Sequence, residues 1–155
     1  MMKYAIVGFI GFCAVTAGTF AVTSLPALAV DNMESTDAPD LTSVRAKIDA
    51  KDYASALNEL RGLAEDHQQA DVYNLLGYTL RKTGDFTTSL TYYTKALELQ
   101  PDHKGAREYL GELYVETGKM DKAEEQLVSL QKLCPSGCEE LDDLQKAITR
   151  KAAVN

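Results

Sequence analysis

The stretch ADVYNLLGYTLRKTGDFTTSLTYYTKALELQPDH, residues 70–103, is followed at once by KGAREYLGELYVETGKMDKAEEQLVSLQKLCPSG, residues 104–137. Both segments are 34 residues long, and their apolar, small and turn-forming residues coincide. The matching positions are Leu76-Gly77 with Leu110-Gly111, Leu80 with Tyr114, Thr83-Gly84 with Thr117-Gly118, Ser89 with Ala123, Tyr93 with Leu127, and Pro101 with Pro135. A fixed period of this length indicates a repeat protein, in which stacked units share one continuous core.

The glycines and prolines predict how each unit folds. Gly77 and Gly111 have no Cβ and would let two helices approach closely. Each Thr-Gly pair would end a first helix, since glycine tolerates the left-handed backbone conformation after a helix. Pro101 and Pro135 would end the second helices because proline has no N–H to donate. Each unit is therefore expected to be a pair of antiparallel helices.

These residues resemble the tetratricopeptide repeat (TPR), whose pattern is W-x2-L-G-x2-Y followed by a small residue, an aromatic residue, alanine and a closing proline. Tyr73 stands at the tryptophan position of the first segment. Arg107 stands there in the second, a departure that would leave less apolar packing.

A weaker copy of the pattern lies upstream. KDYASALNEL, residues 51–60, matches GDFTTSLTYY, residues 84–93, at an offset of 33. We interpret residues 37–69 as a degenerate first repeat with a short first helix, roughly 41–50. The resemblance thus predicts an all-α TPR helix-turn-helix solenoid over 41–155, with repeats at about 37–69, 70–103 and 104–137.

The segment SGCEELDDLQKAITRKAAVN, which follows Pro135, predicts a seventh helix over 138–153. Leu141, Leu144 and Ile148 fall on one helical face. Acidic residues lead this helix and basic residues end it, which suits its dipole. Ser136 and Glu139 have the spacing of a capping box. We expect a solvating cap helix, which a repeat array needs at its end.

The N-terminal residues 1–29 have the form of a secretory signal peptide. Lys3 is their only charge, an apolar run follows, and Ala27-Leu28-Ala29 matches an A-x-A cleavage site. We expect cleavage before Val30, export to the periplasm, a flexible polar leader at 30–40, and no stable membrane insertion afterwards. An uncleaved membrane anchor is the alternative, because the apolar run approaches spanning length.

Cys134 and Cys138 flank a Pro-Ser-Gly turn between the last repeat and the cap helix. An oxidising compartment favours a disulfide between them. Its short loop predicts a modest staple of the cap, worth about 2 kcal/mol. A C-x3-C followed by acidic residues also resembles the C-terminal end of small secreted bacterial TPR proteins.

Two other roles for the cysteine pair remain open. Cys138 near a helix N-terminus suits thiol-redox chemistry, but Glu139 and Glu140 oppose a reactive thiolate and the motif is not C-x-x-C. Metal binding is a second alternative. Structural zinc usually takes four ligands, and His67 and His103 are assigned to inter-repeat turns.

The rest of the sequence favours binding over catalysis. It has no G-x-S-x-G elbow, no phosphate-binding glycine loop and no H-E-x-x-H motif, so we predict no enzyme activity, no cofactor and no metal. The net charge is −7 and no Lys/Arg cluster is present, so nucleic acid is not an expected partner.

The TPR resemblance implies that the first helices line a concave groove that holds a peptide or another partner segment. By position the groove residues are Asn74, Tyr78, Arg81, Lys82, Glu108, Glu112 and Glu116, with Arg45 a weaker equivalent from the first repeat. The three glutamates lie four residues apart and would form one acidic stripe. For any single residue the alternative is a solvated face without a ligand.

The chaperone-binding subset of the family clamps a C-terminal carboxylate with Lys and Asn. That clamp is not expected here, because Leu41, Leu75, Gly105 and Tyr109 stand at four of its positions. The sequence therefore predicts a periplasmic adaptor that binds another protein, of unknown oligomeric state. A small thiol-redox accessory protein is the rival hypothesis.

Overall fold

Seven helices follow one another in residues 38–153, the part of the chain that the computed structural model describes. They are α1 (Thr42–Asp49), α2 (Tyr53–Asp66), α3 (Ala70–Lys82), α4 (Phe86–Leu99), α5 (Lys104–Glu116), α6 (Met120–Leu133) and α7 (Glu139–Ala152). Helices α1–α6 form three pairs, and α5 also contacts α3 on one side and α7 on the other. The first helices α1, α3, α5 and α7 thus form one layer of a TPR-like array, which confirms the predicted all-α fold.

The predicted signal peptide at 1–29 and most of the predicted leader at 30–40 lie outside the described residues. Within 38–153, no helix has both the length and the apolar composition that a membrane crossing requires.

The turns inside the repeats follow the sequence prediction. Gly84 and Gly118 have φ values of +87° and +75°, the left-handed conformation that glycine adopts most easily. The first pair has Lys51 at the corresponding place, and its φ is also positive, at 59°. A side chain with a Cβ is disfavoured there, so the degenerate repeat keeps the turn geometry without the residue that suits it.

Gly77 lies at the closest approach of α3 and α4, as predicted. A Cβ at this position would stand 2.6 Å from the Tyr93 ring, and the Ser89 hydroxyl donates a 2.7 Å hydrogen bond to the Gly77 carbonyl. The contact at Gly111 differs from the prediction, because the nearest side chain is Leu144 of α7 and not a residue of α6.

Helix α7 continues the 34-residue period, at the place of the first helix of a further repeat. Leu144 takes the place of Leu110 and Leu76, and it is fully buried. The predicted capping box is wrong. Cys138 is the residue before the helix, its backbone is extended, and no side chain caps α7. Helix α7 is therefore anchored by its apolar face, and not by its N-terminal hydrogen bonds.

Arg107 replaces the expected aromatic packing with hydrogen bonds. Its Nε and Nη2 donate to the Pro101 carbonyl at 2.9 and 2.6 Å, and its Nη1 donates to Gln126 at 3.1 Å. The guanidinium thus ties the turn before α5 to α6.

Candidate functional site in the groove of first helices

The surface formed by α1, α3, α5 and α7, here called the groove, carries the predicted binding residues. Tyr78 is half-buried and Lys82 is exposed, so a partner can reach both. Asn74, Arg81 and Glu108 are buried. Arg45 is exposed on α1.

Arg81 cross-links α3 and α5 from inside the array. Its Nη2 donates to Glu112 at 2.5 Å and its Nη1 donates to Glu116 at 2.6 Å, and only 2% of its side chain is exposed. Arg81 is therefore a support for the groove and not a free contact for a partner. The single positive charge of this guanidinium is shared by two glutamates of the predicted acidic stripe and offsets part of their negative charge.

Tyr78 and Tyr109 form an aromatic pair above the guanidinium. Their ring centroids are 4.9 Å apart, and the Arg81 Cζ lies 5.6 and 5.7 Å from them. The Lys82 ammonium lies 5.1 Å from the Tyr78 ring. Burial raises the pKa of Tyr109 to about 12 and also raises that of Tyr78. Both phenols stay neutral and keep an O–H donor at neutral pH.

Glu108 differs from the other two glutamates of the stripe. It is only 9% exposed, and burial, followed by repulsion from Glu112, Asp143 and Glu140, raises its pKa to about 8. The carboxyl group is therefore mostly protonated at neutral pH, and the predicted acidic stripe carries less charge than its sequence suggests.

Two adjoining cavities open along the groove. The first, of about 290 Å³, is lined by Arg45, Ile48, Asp49, Leu75, Tyr78 and Tyr109. The second, of about 350 Å³, shares Arg45, Leu75 and Tyr109 with the first. Its other lining residues are mostly polar and include Asp71, Asn74, Glu108, Glu139, Glu140 and Asp143. The first cavity, here called the aromatic cavity, combines two tyrosines and two aliphatic residues with Arg45 and Asp49, and its neighbour, the acidic cavity, is lined mainly by carboxyl groups.

His103 fixes one edge of the acidic cavity. Its Nδ1 accepts a 3.1 Å hydrogen bond from the Ala106 N–H, which caps α5. The ring proton is then on Nε2, which donates to the Asp71 carboxylate at 3.0 Å. Asp71 is thereby held at the mouth of the cavity.

Sequence reasoning missed the acidic residues that α7 contributes, because it assigned this helix only a solvating role. The repeat period could have found them. Asp143 follows Tyr109 by one period, as Tyr109 follows Leu75, and Glu139 follows Gly105 in the same way. Residues at the same repeat position share the same face of successive first helices.

Cys134 and Cys138 are joined by a disulfide in the structure, with their Cα atoms 5.8 Å apart. Glu140 lies beside them, and potential ligand atoms of the three residues are within 4.8 Å of one another. The sequence did not suggest this third group. In the disulfide neither sulfur is a thiolate, the form that binds metals.

Comparison with known proteins agrees with the repeat assignment. A family model described as tetratricopeptide repeat matches residues 74–137. No curated protein sequence matches the chain.

Solved structures that share its fold include the following three. The type III secretion translocator chaperone SycD of Yersinia enterocolitica, in an alternative dimer, is 16% identical with a TM-score of 0.61, covering 72% of this chain and 85% of its own. PcrH in complex with the chaperone binding region of PopD is 18% identical with a TM-score of 0.60 and the same coverages. MamA is 17% identical with a TM-score of 0.59, covering 73% and 74%. At these identities the similarity shows a common fold.

Proposed function

We propose, from the premise that residues 74–137 are tetratricopeptide repeats within a TPR-like helical array, that this chain binds a segment of another protein in the groove. The observation that carries this proposal is the Tyr78–Tyr109 pair, which lines a cavity and rests on the buried Arg81. Aromatic side chains with few rotatable bonds lose little entropy on binding, and they are frequent anchors at protein interfaces.

The solved structures support a protein partner. PcrH was crystallised with a region of PopD, and SycD is described as a chaperone. A protein with this fold therefore holds a segment of another protein. We propose the same type of activity here, binding without catalysis, and an adaptor role for the chain.

We also propose that the protein works in the periplasm after removal of residues 1–29. The sequence pattern of those residues and the oxidised Cys134–Cys138 pair support this location. The intact mass of the protein from a periplasmic extract should correspond to a chain beginning at Val30. A cytoplasmic chain that retains Lys3 would contradict this part of the proposal.

A photo-crosslinking amino acid tests the binding surface. Placed at position 78, it should form a covalent adduct with a discrete cellular protein, and Tyr109→Ala should reduce that adduct. The matched control is the same amino acid at Val128, an exposed apolar position on α6 in the other layer. Adducts of equal yield and identity from both positions, or none from position 78, would contradict binding in the groove.

A further inference from the structure

The acidic cavity contains two buried polar side chains that the fold leaves without hydrogen bonds. Asn74 is 6% exposed, and its Oδ1 has no hydrogen-bond partner among residues 38–153. The Glu108 carboxyl, 9% exposed, likewise has no hydrogen bond within the described part of the chain. Buried polar atoms are normally paired, so the unpartnered Asn74 Oδ1, in the same cavity as the Glu108 carboxyl, indicates a missing partner that donates hydrogen bonds.

The charges around these two groups define the sign of that partner. Carboxylates from α3 and α7 surround the cavity, namely Asp71, Glu139, Glu140 and Asp143. Arg45 of α1 and His103 before α5 are its other ionisable lining groups besides the tyrosine. The His103 ring already bonds Asp71 and Ala106, and Arg45 is exposed and has no ion pair in the described residues. The cavity therefore has an excess of negative charge.

The position and size of the acidic cavity indicate which kind of cation it would bind. The cavity shares Leu75 and Tyr109 with the aromatic cavity that would hold the partner segment. Gly105 keeps the floor accessible, since a Cβ there would stand 3.4 Å from the Asn74 Nδ2. A volume of about 350 Å³ accommodates a long side chain, and it is larger than a single metal ion needs.

We propose that this cavity receives a lysine or arginine side chain of the segment that lies in the groove, with Glu108 and Asn74 as acceptors at its floor. This inference rests on the proposed function and adds to it the chemistry of one partner residue. A basic side chain would supply the missing donors and would offset the repulsion among the carboxylates. The partner then places a basic residue next to its aromatic or apolar anchor.

Single amino-acid probes test the cavity without knowledge of the partner. N-acetyl-arginine methylamide and N-acetyl-lysine methylamide are titrated into the purified ¹⁵N-labelled exported protein, and amide shifts are followed by NMR. Saturable shifts are expected at Asn74, Gly105, Glu108 and Asp143. N-acetyl-citrulline methylamide, a neutral analogue of arginine, should bind about tenfold more weakly because it lacks the charge-assisted hydrogen bonds.

Single substitutions test whether Glu108 and Arg45 determine the affinity for the arginine probe. Glu108→Gln should lower the affinity for the arginine probe about tenfold. Glu124→Gln, at an exposed position on α6, should leave that affinity unchanged. Arg45→Ala should strengthen it, because a competing cation is removed. Circular dichroism checks that each variant folds. If Glu108→Gln does not fold, Arg45→Ala and the citrulline comparison still decide the question.

The pH dependence provides a separate readout. A bound cation favours the ionised form of Glu108. The affinity for the arginine and lysine probes should therefore rise between about pH 6 and about pH 9, as that carboxyl loses its proton. The rise should disappear in Glu108→Gln and persist in the control variant Glu124→Gln, an exposed position on α6. The charged and titratable groups that face Glu108 or line the same cavity are Arg45, Asp71, Arg81, His103, Tyr109, Glu112, Glu139, Glu140 and Asp143.

Equal binding of the arginine and citrulline probes, or shifts confined to another surface, would overturn the proposal. Calcium chloride that produces the same shifts at a hundredfold lower concentration would identify a metal site and would also overturn it. If crosslinking from position 78 succeeds while neither basic probe binds, the cation pocket is wrong and the groove function stands. If position 78 gives no adduct, the groove function itself fails.

Discussion

The Leu144 side chain of α7 packs directly on the backbone of Gly111, where a Cβ built on the glycine would stand 2.5 Å from a leucine methyl carbon. This contact joins the last repeat to the cap helix. Leu144 is fully buried, so it has no alternative position in water that would relieve the overlap. The second glycine of the repeat pattern therefore sets the distance between the array and its cap.

Gly111→Ala should destabilise the protein by about 1–3 kcal/mol, because the added methyl group overpacks a filled contact. Leu144→Ala alone should also lower stability, because it leaves a cavity. In the double variant it should recover part of the stability lost through Gly111→Ala, because the smaller side chain makes room for the new methyl group. Thermal and urea unfolding of the four proteins measures this coupling. Gly62→Ala is the matched control, since nothing lies within 4 Å of the new methyl group. Strictly additive effects would contradict direct contact between the two positions.

Lys51→Gly should stabilise the fold by about 0.5–1 kcal/mol. The lysine has a φ of 59°, and release of that strain outweighs the greater entropy of glycine in the unfolded chain. Gly84→Ala at the corresponding turn of the next repeat should have the opposite effect. Denaturant midpoints measure both. An unchanged or lower midpoint for Lys51→Gly would show that this turn is not strained.

Arg81→Met should destabilise by about 2–4 kcal/mol, since it leaves Glu112 and Glu116 without their buried partner. Adding Glu112→Gln and Glu116→Gln to the same chain should restore much of the loss, because no uncompensated carboxylate remains. Differential scanning calorimetry follows the series. The control is Lys146→Met at an exposed ion pair with Asp143, which should leave the melting temperature unchanged. A triple variant no more stable than Arg81→Met alone would refute this electrostatic explanation.

The protonated state of Glu108 makes stability depend on pH. Its folded pKa of about 8 lies above the ordinary value of 4.5. Between these values the folded state holds a proton that the unfolded state has lost, so this group lowers stability as pH rises from about 4.5 to about 8. Glu108→Gln should therefore become more stable than wild type above pH 8, by about 2 kcal/mol. The difference between the two proteins is read from urea unfolding across pH, and a constant difference would contradict the raised pKa.

The disulfide should contribute modestly to the stability of the cap. Cys134→Ser combined with Cys138→Ser should lower the free energy of unfolding by about 2 kcal/mol, as the short loop predicts. In this double variant, amide hydrogen exchange should increase first in α7. Crosslinking to the partner from position 78 should persist. The reduced wild-type protein is the control for the serine side chains. A double variant as stable as the oxidised protein would contradict a structural role for the disulfide.

The helices, their order and their turns followed from the sequence because each is specified locally. Gly84, Gly118, Pro101 and Pro135 act through their own backbone geometry, and the apolar spacing follows from helical periodicity. The positions of α3 and α5 assigned to the groove came instead from the resemblance to the TPR family, whose first helices line it. Each of these local signals is weak. Together they predicted the repeat, because each motif occurs at the same spacing in successive units.

The charge state of the groove was decided only by the tertiary structure. Glu108, Glu112 and Glu116 look equivalent in sequence, but two of them meet the Arg81 guanidinium, whereas the third is buried and faces other carboxyl groups. The acids of α7 join that cavity only because Leu144 docks the helix on Gly111. Burial and electrostatic interactions depend on distances between helices that are far apart in the chain, and no local sequence pattern encodes those distances.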